Sequence, residues 1–508
     1  MSSMFNMKLI YLLFTILFRS IVYSTLEAND PSEPTLPFYN IPLKGVIDEG
    51  YSAAMDIGTP PQTFNLLIDT GSSNLAVAGT PVDYVPSVFL HKQSSTFSWL
   101  SDRVSVQYSQ GYWEGELARD QLKFSALPTR PITAEFAVID YSEDFFSEGT
   151  DWQGILGLGY ETIAEEGVEP FWVSYIREHI FKDIFSLSLC GLQSKTHLDQ
   201  SSPDGRSKDD DEAQGTLTLG GADPDVFVGS MQFTPIVRPD YFEVLITDVK
   251  VNHDSLRLDC KEYNFPRSIV DSGTTNLRLP ARVFDAVIYQ LTSYVQTTMT
   301  DTELPEDFWG GDEVICWEPS NEKFNLFPTL SISFLDITST NSTPTFFDVT
   351  IVPEQYLSPV VFNGQTLTPE SKCFRLSISR SDEGTVLGST FMEGFYVKFD
   401  RANSRIGFAV SKCTRYANLD KPPAVSEIRT LDVSQIGNNY NPPFDLLECK
   451  FNMYEPDERP ILIAAYVLIS IACLCLLPII VTFVHGQFME CRDNDYDHDS
   501  EDRDQLVK

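Results

Sequence analysis

Two short stretches carry the residues best suited to chemistry, and they echo each other about 200 residues apart. The first is Phe64-Asn65-Leu66-Leu67-Ile68-Asp69-Thr70-Gly71-Ser72-Ser73-Asn74, and the second is Ser268-Ile269-Val270-Asp271-Ser272-Gly273-Thr274-Thr275-Asn276. In each, an apolar run that fits a buried strand delivers an Asp into a loop that turns at Gly. A carboxylate is rarely buried unless something holds it. The hydroxyls of Thr70, Ser72, Ser272 and Thr274 and the loop N–H groups are the obvious holders, and Gly71 and Gly273 allow backbones to crowd together. A single Asp-Gly turn is usually structural. Two copies with matching lead-ins and tails point to a pair of carboxylates sharing one site. Such a pair cannot ionise twice cheaply, so one carboxyl stays an acid while the other serves as a base.

Something must bring these loops together, and the rest of the chain reads as strands. From Gly45 onward, short alternating segments are broken by Gly, Pro and Asp, which predicts a mostly β architecture. Tyr51 to Gln62 reads as strand, turn, strand, leading straight into the first Asp loop. Val104 to Leu117 reads as a hairpin with Tyr108 and Trp113 flanking a Ser-Gln-Gly tip, and either an ordinary surface hairpin or a lid fits that pattern. Phe145 and Trp152 read first as core. Each Asp loop is followed by an apolar-apolar-Gly element, Ile155-Leu156-Gly157 in the first half and Val386-Leu387-Gly388 in the second, so the sequence contains an internal duplication. Helices are expected to begin near Glu169 and to run over roughly 281–296. The polar run 193–214, with Asp209 to Glu212, reads as a solvated loop.

Composition narrows the classes further. With 36 basic and 72 acidic residues the net charge is −36, and no basic cluster stands out, which argues against a nucleic-acid partner. Residues 1–24 read as a secretory signal peptide with an apolar core too short to span a bilayer. Residues 25–44 are polar and stand where a short propeptide would. Residues 461–484 carry no charge over a length that can cross a membrane, after a juxtamembrane segment 451–460 and before a tail 485–508, which predicts a single-pass type I protein. Six cysteines (Cys190, Cys260, Cys316, Cys373, Cys413 and Cys449) precede the span. An even number in a secreted context predicts disulfides, and spacing alone leaves fifteen connectivities open. Asn341 heads a glycosylation sequon, with Pro344 just after it. No H-E-x-x-H or G-x-S-x-G motif occurs, so no metal site, cofactor or serine nucleophile is expected.

The doubled D-[TS]-G loops, the hairpin and the closing pattern from Gly388 to Ala409 resemble the pepsin-family aspartic proteases. Asp259-Cys260-Lys261-Glu262-Tyr263, Asn276-Leu277-Arg278-Leu279-Pro280 and Ser389-Thr390-Phe391-Met392-Glu393-Gly394 resemble the membrane-anchored beta-secretase, or memapsin, branch. This likeness implies a bilobal fold with a central cleft, with lobes at 45–225 and 226–450. It implies that Asp69 and Asp271 are catalytic, activating a water between them, with Tyr108 and Trp113 in a flap. It implies that Phe145 and Trp152 wall the first specificity pocket, with Leu67 as a further substrate-binding residue. It also implies disulfides Cys190–Cys413, Cys260–Cys449 and Cys316–Cys373. The expected substrates are proteins, type I membrane proteins among them, met in the Golgi, endosome or cell surface, with sorting adaptors reading the tail. Arg278 lies between two Leu residues, so alternation turns it to the opposite face, toward either solvent or the cleft. The resemblance favours the cleft. The competing class is a binding ectodomain that keeps the fold without activity, which loss of an Asp or of Tyr108 would have favoured.

Overall fold

The computed structural model describes residues 38–430, apart from 47–49, 83, 86, 110, 148–149, 166, 180, 192–212, 299–303, 319–322, 340–344, 361–371, 414–415 and 417–418. The expected signal peptide, membrane span and tail lie outside these residues, as do Asn341 and Cys449. Among the described residues no helix is long and apolar enough to cross a membrane. By contacts the chain divides into Met1–Tyr440 and Asn441–Lys508, and only the first unit falls among the described residues.

The first half contributes β1 (Tyr39–Val46), β2 (Gly50–Ile57), β3 (Gln62–Asp69), β4 (Leu75–Ala78), β5 (Ser98–Gln107), β6 (Tyr112–Phe124), β7 (Ile132–Glu143), β8 (Gly154–Gly157), β9 (Ile184–Leu189) and β10 (Gly215–Leu219). The second half adds β11 (Phe227–Pro235), β12 (Ile246–Val251), β13 (Asp254–Ser255), β14 (Ser268–Val270), β15 (Leu277–Pro280), β16 (Ile315–Trp317), β17 (Leu330–Leu335), β18 (Thr345–Ile351), β19 (Leu357–Val360), β20 (Lys372–Leu376), β21 (Ile378–Ser381), β22 (Thr385–Leu387), β23 (Phe395–Asp400) and β24 (Arg405–Ser411). Among the helices are Phe171–His179, Cys260–Asn264 and Ala281–Thr298, the last burying Val283, Val287, Leu291 and Val295 at helical spacing.

The two halves share one motif. In the first, β3 runs parallel to β8 (Leu66↔Gly154, Asp69↔Gly157), and β4 returns antiparallel on the other side of β8 (Leu75↔Leu156). In the second, β14 runs parallel to β22 (Val270↔Leu387) and β15 returns antiparallel on it (Leu277↔Leu387). The apolar-apolar-Gly elements are thus the central strands between the two arms of each Asp loop. The halves are joined through backbone, because β9 pairs antiparallel with β23 (Leu187↔Val397) inside a thirteen-stranded sheet.

The sheet begins within the stretch 25–44. Residues 39–44 form most of β1, which pairs with β10 and β2 and buries Ile41 and Leu43. A strand with only two inward apolar residues leaves little periodicity to read. Cys190 is bonded to Cys413 and Cys316 to Cys373. Cys260 is buried and disulfide-bonded, and its expected partner Cys449 lies outside the described residues.

Candidate active site

The two Asp loops meet face to face. Asp69 and Asp271 are 4% and 8% exposed, and their carboxyls are hydrogen-bonded to each other. Each is held by the same pair of donors. Gly71 N–H donates to Asp69 Oδ1 at 2.8 Å and Ser72 Oγ–H donates to Asp69 Oδ2. Gly273 N–H donates to Asp271 Oδ1 at 2.9 Å and Thr274 Oγ1–H to Asp271 Oδ2 at 2.7 Å. Ser72 and Thr274 thus each hold one carboxyl.

Thr70 and Ser272 have a different task. Thr70 Oγ1 donates to Val270 O at 3.0 Å and accepts from Ser272 N–H at 2.9 Å, while Ser272 Oγ donates to Ile68 O at 2.7 Å and accepts from Thr70 N–H at 3.1 Å. These four bonds link the loops to each other instead of holding the carboxylates. The glycines explain the closeness. A Cβ on Gly71 would sit 2.6 Å from Asp271 Oδ1, and one on Gly273 would sit closer still to Asp69 Oδ1.

This arrangement sets the electrostatics. Burial, and then the charge of Asp271, push the Asp69 carboxyl well above the ordinary carboxylate range, while the Ser72 and Gly71 bonds oppose the shift. The pair can therefore hold a proton at a pH where an exposed carboxyl would have lost it.

Over the pair lies the hairpin of β5 and β6. Tyr108 N–H donates to Gly111 O at 3.1 Å across its tip, and Trp113 Nε1–H donates to Tyr108 Oη at 3.2 Å. The Ser72 hydroxyl, which donates to Asp69, also lies beside the Tyr108 hydroxyl, so Ser72 stands between the hairpin and the carboxyl. Burial and then the charge of Asp69 raise the Tyr108 hydroxyl far above its ordinary value, so it stays protonated. The Tyr108 ring stacks on Phe145 at 5.4 Å, and Phe145 meets Trp152 edge-on at 5.5 Å.

A cleft of about 700 Å³ opens on the carboxyls, and its lining includes Leu67, Tyr108, Phe145, Trp152 and Arg278. Trp113 is fully buried behind the hairpin. The position of Arg278 follows from register. Ile269 pairs with Val386, Val386 with Arg278, and Arg278 with Ser379, so one row across four neighbouring strands faces the cleft. Arg278 is half-buried and makes no ion pair or side-chain hydrogen bond among the described residues. In contrast, Arg103, Arg177 and Arg282 all pair with carboxylates. Tyr241, Arg267, Ile269, Arg375 and Glu383 also line the cleft. Sequence reading did not single them out, because they come from turns and strands far apart in the chain, and no local pattern announces that they meet. Among the described residues no cluster of His, Cys, Asp and Glu could hold a metal ion.

Comparison with known proteins agrees with this geometry. The family model for eukaryotic aspartyl proteases matches residues 50–411. A beta-secretase of Strongylocentrotus purpuratus is 39% identical over 454 residues, covering 86% of this chain and 79% of that protein. Cathepsin E of Rattus norvegicus is 27% identical over 73% of this chain and 82% of its own length, and cathepsin E of Cavia porcellus 28% over 74% and 84%.

Proposed function

The chain belongs to the eukaryotic aspartyl protease family and is beta-secretase-like within it, and we propose that it is a membrane-anchored endopeptidase whose Asp69 and Asp271 activate water against a peptide bond. The observation that carries this reading is the matched pair of carboxylates, each held by a Gly N–H and a hydroxyl and each facing the glycine of the other loop. A water placed between them loses its proton to the ionised carboxyl while the protonated one donates to the scissile carbonyl oxygen. Because the pair titrates jointly, the roles belong to the pair rather than to one named residue.

Tyr108 and Trp113 form the lid over this step, and excluding water there strengthens each polar contact made to the substrate. Leu67, Phe145 and Trp152 offer an apolar wall for a large side chain. The guanidinium of Arg278, unpaired among the described residues, suits an acidic or amide side chain just before the cleavage point, since its planar fork donates parallel N–H bonds to such oxygens. The uncharged run 461–484 and the signal-like start support a type I topology with the catalytic part in the secretory or endosomal lumen. Substrates would then be the ectodomains of other membrane proteins, and the acidic tail would engage sorting adaptors.

The test is Asp69→Asn and Asp271→Asn, made separately in the full-length chain and assayed on a peptide library. Each should abolish cleavage while leaving the fold intact. Near-normal turnover in either would remove the dyad reading.

A further inference from the structure

Behind the Asp69 loop lie three consecutive residues, Leu158, Gly159 and Tyr160, and all three hold it. Leu158 N–H donates to Asp69 O at 2.7 Å, Gly159 N–H donates to Ser72 O at 2.7 Å, and Tyr160 O accepts from Ser73 Oγ at 2.6 Å. One side chain from the second half holds the same three residues. Arg401 Nη1 donates to Leu158 O at 3.1 Å and to Gly159 O at 3.0 Å, and its guanidinium lies 4.5 Å from the centre of the Tyr160 ring.

Arg401 is itself fixed. It is 9% exposed and pairs with Asp183 Oδ1 at 3.2 Å, and that carboxylate accepts from Trp172 Nε1 at 2.8 Å. Ala402 N–H donates to Asp183 O at 3.0 Å, which ties down the backbone just after Arg401.

The second Asp loop is held differently. Its supports are Ser389, whose N–H donates to Thr274 O at 2.8 Å, and Thr390, whose N–H donates to Thr275 O at 2.9 Å. These residues open the helix Ser389–Met392, and Gly388 O and Ser389 O are taken by the N–H groups of that turn and of Glu393. In the first half the short 3-10 turn Glu161–Ile163 starts later, its first bond running from Ile163 N–H to Tyr160 O, so the Leu158 and Gly159 carbonyls are left for Arg401. The Leu158–Gly159 peptide thus has the guanidinium on its carbonyl and Ser72 O on its N–H, an arrangement in which each bond polarises and strengthens the other.

We propose that Arg401 is a positioning residue for the Asp69 loop, doing for the first half what a helical turn does for the second and setting the loop only once the two halves have docked. The proposal rests on the dyad reading above. Loosening the three-residue support lets Ser72 drift from Asp69, and Ser72 is, with Gly71 N–H, a donor that favours the ionised carboxylate. The other charged or titratable groups facing this assembly are Asp271, Tyr108 and, near Tyr108, Glu165, with Tyr160, Asp183, Glu161 and Asp400 around Arg401. The substitution leaves all of them in place.

The experiment compares Arg401→Gln and Arg401→Lys with the unaltered full-length chain, using one cleavable peptide taken from the library screen. The expected result for Arg401→Gln is a fall in kcat of roughly ten- to a hundredfold with KM little changed, and an acid limb of kcat/KM moved to higher pH. Arg401→Lys keeps the charge and can reach one carbonyl, so it should recover part of kcat and part of the limb position. If Arg401→Gln does not fold, Arg401→Lys decides alone, through a reduced kcat and a displaced limb. A folded Arg401 variant with the parent's kcat and pH profile overturns the proposal. Failure of the unaltered chain to cleave any peptide would instead overturn the functional reading on which it stands.

Discussion

The two halves place an Asp in the same motif and then finish it differently. Ala76 lies seven residues after Asp69 on β4 and Arg278 seven residues after Asp271 on β15, so they occupy matching positions. Ala76 is fully buried in a second apolar cluster with Trp113, Phe145, Trp152 and Ile155, beneath the hairpin. Arg278 sits in the open row of its sheet and faces the cleft. The first half is therefore covered and apolar, while the second is open and carries charge. Among the described residues, the first Asp has a hydroxyl donor, Ser72, that also lies beside the Tyr108 hydroxyl of the hairpin. The duplication supplies two equal carboxylates, and the surroundings make them unequal partners.

The strongest way to break this comparison is to separate the loops. Neither Gly71 nor Gly273 has a left-handed backbone, so alanine is tolerated conformationally and is excluded only by the opposing carboxylate. Gly71→Ala and Gly273→Ala should each lower kcat/KM by about a hundredfold or more, since a displacement near 1 Å costs that much. A peptide-cleavage assay on folded variants checks this, and an active Gly273→Ala chain would show that the loops do not need to touch.

The asymmetry is sharpened by Ser72→Ala against Thr274→Ala. Each removes one hydrogen bond to a carboxylate, which is worth about 1.5–3 kcal/mol. Ser72→Ala also cuts the link to Tyr108, so its kcat should fall further than that of Thr274→Ala. Equal losses in the two variants would mean that the hairpin link contributes nothing.

Selectivity comes next in size. Arg278→Leu should lose the preference for Asp, Glu or Asn just before the cleavage point by about ten- to a hundredfold, the equivalent of one charge-assisted bond, while general cleavage survives. An unchanged library profile would leave Arg278 without a role in recognition.

The smallest effect concerns stability. Because the folded Asp69 carboxyl binds its proton more tightly than an unfolded one, the fold gives up stability as pH rises from the ordinary carboxyl value, about 3.9, through the raised one. Asp69→Asn removes this penalty. Its melting temperature should exceed that of the parent at neutral pH, and the gap should close toward pH 4. A gap that widens on acidification would reverse the direction assigned to Asp69.

Much of this site was legible in the chain itself. The Asp loops could be read because an acid following directly on Leu67-Ile68 or Ile269-Val270 conflicts with burial unless it has a purpose. The hairpin could be read because Tyr108 and Trp113 flank a Gly turn. What escaped depends on contacts distant in sequence. Thr70 and Ser272 could not be told from Ser72 and Thr274, since all four are hydroxyls beside an Asp and only the facing loop distinguishes them. Arg401 stood out only as part of a closing pattern, because its partners at 158–160 lie more than 240 residues earlier. Tyr241, Arg267 and Arg375 reach the cleft from separate segments that only the fold brings together, which no local pattern encodes. β1 was not read as a strand because its burial depends on β10, far down the chain.

The most direct test of the shared-proton pair is the pH dependence of kcat/KM for the full-length chain on a single peptide. One carboxyl must be ionised and the other protonated, so the profile should be a bell in the acid range, falling on its low side as the pair gains a second proton and on its high side as it loses the last. A rate that stays flat or climbs through neutral pH would contradict a mechanism run by Asp69 and Asp271 together.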